Sequence, residues 1–251
     1  AWAIVGQRDF NGDGKADLLW RDNAGNTAIW FMNGTSVGST APVGNISTAW
    51  SVFGTRDMNA DGKGDLLWRD NGGNVAVWLM NGATVAASAP LGNVPMTYTI
   101  VGHADFNGDG KADILWRDAS GNVSIWFMNG TSLTSTGGVA AVSTSWTIAA
   151  TGDFNGDGTA DLLWRDNAGN TAIWLMNGTS VIGTASIGVV SPATWSIAET
   201  GDFDGNGTAD ILWRDTSGNT AIWFISGTSV TSAASVANVP TIWTIQNTNA
   251  N

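Results

Sequence analysis

The chain has 251 residues with 33 Gly, 5 Pro, no Cys, a single His and a formal charge of −11. The lack of Cys excludes a disulfide frame or a thiolate site, and one His excludes a His-based zinc cluster or a repeated triad. Only 10 Lys and Arg are present and they form no basic stripe, which argues against a nucleic-acid partner; no uninterrupted apolar stretch reads as a membrane span.

In chain order, Ala1 to Val5 is a short apolar run and reads as a first strand. The chain opens already inside this pattern, as a mature or excised region would, with no signal peptide. An Asp- and Gly-rich loop from Asp9 to Asp17 follows, then a second strand from Leu18 to Asp22 and turn residues Asn23-Ala24-Gly25-Asn26. Thr27 to Met32, rich in β-branched and aromatic residues, is a third strand. Asn33-Gly34 reads as a type I′ hairpin turn into a weaker fourth strand, Thr35 to Thr40, and a loop through Pro42 and Gly44-Asn45 leads to Trp50.

The same order then recurs. The pattern D-x-[ND]-x-[DN]-G-x-x-D begins at Asp9, Asp57, Asp105, Asp153 and Asp202, at spacings of 48, 48, 48 and 49. Four strands in such a period match one propeller blade, and ring packing lets each sheet bury both faces against neighbours. The expected fold is therefore all-β: a five-bladed β-propeller with four antiparallel strands per blade and a cation loop between strands 1 and 2 of each. One domain spans 1–251, with repeats at about 1–48, 49–96, 97–144, 145–193 and 194–240. A sixth copy of the first strand, in 241–251, either closes the ring or belongs to a longer array; a closed five-bladed ring is the expectation.

The loop offers oxygen ligands on alternate residues, which suits calcium. The candidate ligands are Asp9, Asn11, Asp13, Asp17 and the Lys15 carbonyl in the first copy, then Asp57, Asn59, Asp61, Asp65 and the Lys63 carbonyl. They continue as Asp105, Asn107, Asp109, Asp113 with Lys111, and Asp153, Asn155, Asp157, Asp161 with Thr159. In the fifth, Asn and Asp exchange places: Asp202, Asp204, Asn206 and Asp210 with Thr208. Because only its carbonyl would bind, the side chain at the Lys15 position is expected to be idle. Fifteen of the 21 acidic residues lie in these loops, so five divalent ions would bring the formal charge from −11 to −1. An EF-hand fails, because it needs Glu where the chain has Trp20 and helices where it has strands. Magnesium suits such an all-protein cage less than calcium does, and the ion is expected to brace the scaffold.

The motif, its repeat length and its strand–loop–strand setting resemble the FG-GAP (VCBS-type) repeats of integrin α-subunit propellers and of bacterial and fungal propeller lectins. The resemblance covers essentially the whole chain. Where those repeats often read Gly-Ala-Pro after the second strand, this chain reads Trp-Arg-Asp. The resemblance implies that the cation loops occupy one rim of the ring, with Asp22 to Asn26 and the loop before Trp50 on the other.

The Trp-Arg-Asp unit occurs as Trp20-Arg21-Asp22, Trp68-Arg69-Asp70, Trp116-Arg117-Asp118, Trp164-Arg165-Asp166 and Trp213-Arg214-Asp215. Asn26, Asn74, Asn122, Asn170 and Asn219 follow at fixed distance. Further Trp recur at Trp30, Trp78, Trp126, Trp174 and Trp223, and at Trp2, Trp50, Trp146, Trp195 and Trp243, with Tyr98 in the remaining slot; together these are all 15 Trp. As a scaffold, Arg would stack on Trp with Asp as its ion-pair partner, and the Trp30 class would fill the wedge between sheets. As a binding surface, Trp20, Arg21, Asp22, Asn26 and the next blade's Trp50 would form one of five equivalent sugar sites.

The expected function is a calcium-stabilised multivalent carbohydrate-binding module that takes glycans or glycoconjugates. A structural or protein-binding propeller is the alternative. A pore-site glycosidase or lyase would have to break the symmetry, and the only unlike polar groups are Glu199, His103, Gln7, Arg8 and Arg56, so no enzyme is expected. Calcium sites of extracellular modules bind at about 10⁻⁴–10⁻³ M, so secretion or surface display is expected.

Overall fold

The computed structural model of the chain describes residues 1–245. Blade 1 holds β1 (Trp2–Arg8), β2 (Asp17–Asp22), β3 (Asn26–Asn33) and β4 (Ser36–Asn45). Blade 2 holds β5 (Trp50–Gly54), β6 (Leu66–Asp70), β7 (Asn74–Asn81) and β8 (Thr84–Asn93), and blade 3 holds β9 (Tyr98–Ala104), β10 (Asp113–Asp118), β11 (Asn122–Asn129) and β12 (Ser132–Ala141). Blade 4 holds β13 (Trp146–Gly152), β14 (Asp161–Asp166), β15 (Asn170–Asn177) and β16 (Ser180–Val189), and blade 5 holds β17 (Trp195–Gly201), β18 (Asp210–Asp215), β19 (Asn219–Ser226) and β20 (Ser229–Asn238). Each blade is one antiparallel sheet with its strands in sequence order. The molecule is thus a five-bladed β-propeller, as the repeat implies.

Two local expectations are corrected. Asn33 pairs with Ser36, so the residues of the turn are Gly34 and Thr35, not Asn33 and Gly34. Gly34 has φ +63 and sits first in the turn, which makes it type II′ rather than I′. The fourth strand is also longer than its sequence suggests. It runs through Pro42 to Asn45, Pro42 pairing with Ala28. An outer edge strand tolerates Pro because its outward N–H has no ladder partner to lose.

Residues 241–245 form a turn and bend and belong to none of the five sheets, while the rest of the expected sixth strand lies outside the described residues. The first strand of blade 1 is supplied by β1 itself.

Alternation along the strands gives every sheet two apolar faces. In blade 1, Leu18 and Trp20 point to one side and Leu19 and Arg21 to the other. Among the described residues, buried apolar side chains form four clusters, each shared by two consecutive blades. Phe10, Leu19 and Ile29 meet Leu66, Trp68 and Met80 between blades 1 and 2; three further clusters join blades 2 and 3, 3 and 4, and 4 and 5. Two backbone bonds tie each of these seams. Gly64, Ala112, Ala160 and Ala209 donate N–H to the carbonyls of Asp9, Asp57, Asp105 and Asp153, at 2.6–2.8 Å. Gly82, Gly130, Gly178 and Gly227 donate to Phe10, Met58, Phe106 and Phe154, at 2.7–2.8 Å. Among the described residues, no equivalent bond or buried cluster joins blade 5 to blade 1, so the expected closure of the ring is not found there.

Candidate functional site

All five acidic loops join the first and second strands of their blades and are built alike. In each, one oxygen of the first Asp (Asp9, Asp57, Asp105, Asp153, Asp202) accepts the N–H three residues on, at 2.7 Å. The other accepts the N–H five residues on, at 2.6–2.8 Å. These bonds curl the backbone around the carboxylate. The last Asp anchors the loop to the sheet. Asp17, fully buried, accepts Phe10 N–H at 3.0 Å and Met32 N–H at 2.9 Å, and Asp65, Asp113, Asp161 and Asp210 do the same in their blades.

Burial pushes the Asp65, Asp113 and Asp161 carboxyls up to about 7, and the neighbouring loop carboxylates add to the shift against the backbone donors. Asp17 and Asp210 move the same way for the same reason. A nearby cation would relieve this, and every available donor is oxygen, so the loops fit a hard ion in chemistry. In the fifth loop, one oxygen each of Asp202, Asp204 and Asp210 already lies within 4.8 Å of the others. The side chain at the Lys15 position is not idle. Lys15 Nζ lies 3.3 Å from Asp13, and Lys111 Nζ 3.5 Å from Asp109. Thr159 Oγ1 donates to the Met176 carbonyl at 2.9 Å and Thr208 Oγ1 to that of Ile225 at 2.7 Å.

The Trp-Arg-Asp units lie on the opposite rim, next to the inter-blade linkers. Arg69 Nη1 donates to the Tyr98 carbonyl at 2.6 Å, and its Nη2 to those of Val94 and Pro95 at 3.0 and 3.1 Å. Arg21 binds the Trp50, Ile46 and Ser47 carbonyls, and Arg117 those of Trp146, Val142 and Ser143. Arg165 binds the Val190 carbonyl, and Arg214 those of Trp243, Val239 and Pro240. Each guanidinium of the first four units also lies over the next blade's Trp: Arg21 on Trp68, Arg69 on Trp116, Arg117 on Trp164, Arg165 on Trp213, at 5.0–5.3 Å.

The expected Arg–Asp ion pair does not form. Asp22 instead closes its own turn, accepting from the Ala24 and Asn26 N–H groups and from Asn26 Nδ2 at 2.7 Å. Asp70, Asp118, Asp166 and Asp215 do likewise with Asn74, Asn122, Asn170 and Asn219. The Asn side-chain bond, more than any other contact, holds these five carboxyls below their ordinary range. Trp68, Trp116, Trp164 and Trp213 are buried.

Cavities open beside these rings, against the sheet face that receives the preceding linker. One of about 430 Å³ is walled by Val94, Pro95, Tyr98, Trp116, Ser124 and Trp126. Its counterparts hold Trp195, Trp213 and Trp223 in about 410 Å³, and Trp50, Trp68 and Trp78 in about 250 Å³. The indole N–H groups of Trp68, Trp116 and Trp213 are buried with no acceptor. The expected cross-blade set is therefore not assembled: Trp50 meets Trp68 of its own blade rather than Trp20 of the preceding one, Tyr98 and Trp195 likewise meet Trp116 and Trp213 of their own blades, and Arg69, Asp70, Arg214 and Asp215 stay outside these walls. Arg117 and Asp118 line a separate, shallower hollow. The Trp30-class ring, expected to fill only the wedge, stands in the walls. Trp78 pairs with Leu66 and Ala76 with Trp68, which makes Trp78 the diagonal neighbour of Trp68 on the same face, their ring centroids 5.2 Å apart.

The unlike polar groups gather where the first strands meet. Thr55 Oγ1 donates to the Gln7 carbonyl at 3.0 Å, and Thr55 N–H donates to Nε2 of buried His103. Burial lowers His103 to about 3, with Arg56 and Arg8 adding to the shift, and burial lowers Arg56 to about 9 while Glu199 opposes.

A family model described as FG-GAP-like repeat matches residues 57–116, 105–164 and 153–213. No curated protein sequence matches the chain. Among solved structures, the chain is similar to one from a nidogen/laminin complex, at a TM-score of 0.55 and 14% identity, over 92% of this chain and 79% of that one. It is also similar to Raptor of Chaetomium thermophilum, at a TM-score of 0.51 and 12% identity, over 94% of this chain and 22% of that one. These likenesses concern the fold alone.

Proposed function

The chain belongs to the FG-GAP-like repeat family and is a binding propeller; from that premise we propose that it is a calcium-stabilised, multivalent carbohydrate-binding module that works outside the cell. The carrying observation is the recurrent cavity walled by three aromatic rings. A pyranose presents an apolar C–H face that stacks on such rings. One such site binds weakly; several on one propeller gain strength on a dense glycan surface.

Calcium would be held by Asp9, Asn11, Asp13, Asp17 and the Lys15 carbonyl and by their equivalents in the other loops. It supplies charge neutralisation and loop closure on the rim away from the cavities. The unlike groups at the centre support a packing role, because Thr55 and His103 bind one another; no catalysis is proposed. A structural or protein-binding propeller is the second reading, its structural form favoured by the internal engagement of Arg21, Asp22 and their equivalents.

A glycan array probed with calcium, and again with chelator, tests the proposal. Binding that drops at least tenfold in Trp78→Ala or Trp126→Ala, with the melting temperature held, is the expected result. A folded, calcium-loaded protein that binds no glycan overturns the carbohydrate reading.

A further inference from the structure

The two sheet faces at the ends of the blade series differ from their counterparts inside it. Leu66, Trp68 and Met80 on the receiving face of blade 2 are buried, as are Ile114, Trp116 and Met128 on blade 3. On blade 1 the same positions, Leu18, Trp20 and Met32, are only half-buried, and Trp30 is 37% exposed. The leading face of blade 5 shows the converse. Phe203 is 42% exposed where Phe10, Phe106 and Phe154 are 0%, and Leu212 and Ile222 are half-buried where Leu163 and Ile173 are 0%.

The cavities agree. The one on blade 1, about 690 Å³, exceeds those described on blades 2, 3 and 5 and is lined by blade 1 residues alone, without the linker wall found in those of blades 3 and 5.

We propose that these two faces form a head-to-tail joint between copies of this chain, blade 5 of one copy receiving blade 1 of the next. The occupant follows from the repeat. The leading face of blade 5 carries the residues that blades 1 to 4 bury against their followers, and the receiving face of blade 1 carries those that blades 2 to 5 bury against their predecessors. The joint continues the interface already made four times within the chain. It would add the Trp–Arg stack, Arg214 on the next copy's Trp20, and the two backbone bonds missing from this pair of faces. Because it uses two different surfaces, the joint is heterologous and can propagate.

Sedimentation velocity over a range of concentrations tests this. The wild-type protein should shift from 26.0 kDa to larger species as concentration rises. Trp30→Glu and Ile222→Glu, each blocked on one face, should each stay at 26.0 kDa. Mixed in equal amounts, they should give a species of twice 26.0 kDa and nothing larger, because only one good pair of faces remains. A wild-type protein that stays at 26.0 kDa at every concentration overturns the proposal, whether or not the variants fold. So does continued association of either folded variant alone.

Discussion

The backbone N–H of Thr55 in blade 2 donates to Nε2 of His103 in blade 3, 3.2 Å away. An accepting Nε2 cannot also carry a proton, so this cross-blade bond requires a neutral imidazole. His103 titrates near 3 in the fold and near 6.5 when unfolded, so its contribution is complete above about pH 6.5 and is lost as pH falls toward 3. Asp65, Asp113 and Asp161 act in the opposite sense. Their folded values near 7 exceed the unfolded value, so without a cation they favour the fold in acid and oppose it as pH rises from about 4 through 7. With three such groups against one, chelated protein should melt lower at pH 7.5 than at pH 5. Calcium should cancel or reverse that order. An identical pH dependence with and without calcium would contradict the assignment.

Calcium should raise the melting temperature directly. An ion at 100 times its dissociation constant adds about 2.7 kcal/mol per site if it binds only the folded chain. For a chain of this size each kcal/mol moves the midpoint by about 2–4 °C. A melt unmoved by chelator would refute calcium as a structural ion. Asp202→Asn should remove one site and leave four.

Ala60 is the one described non-glycine residue with positive φ, at +62, in a position that is Gly12, Gly108, Gly156 and Gly205 elsewhere. An L-residue held there costs about 1 kcal/mol relative to Gly. Ala60→Gly should therefore stabilise the protein by roughly that amount in urea titration. A destabilised variant would mean that the loop does not keep this conformation in solution.

Arg69 combines three carbonyl bonds with stacking on Trp116, while Arg214 makes the bonds but lies over no Trp among the described residues. Lys cannot reproduce the planar fork or the stacking. Arg69→Lys should cost about 1–3 kcal/mol and Arg214→Lys distinctly less. Equal losses would show that the stacking contributes nothing.

Much of this was legible from spacing alone. The Asp motif fixes the period, the period fixes the blade, and the curl around Asp9 follows from Gly14 and the alternate oxygens. Other features depend on partners that local sequence does not specify. Asp22 is equally plausible beside Arg21 or Asn26, and only the folded turn selects Asn26. Pro42 reads as a loop unless β4 is known to be an edge. Trp20 and Trp68 have the same local sequence, Leu-Leu-Trp-Arg-Asp, yet one is half-buried and the other fully so. The difference is the presence of a preceding blade, which no window around either residue contains.

Among the described residues, the four seams join only blades that are neighbours in sequence, which makes the molecule behave as a short one-dimensional lattice. Blades 2, 3 and 4 each share two of these seams, whereas blades 1 and 5 each share one. Opening therefore starts by fraying at the two end blades, and amide hydrogens of β10 and β11 in blade 3 exchange last. Protection runs along the chain from its middle outward, as it does along a zipper fastened in the centre.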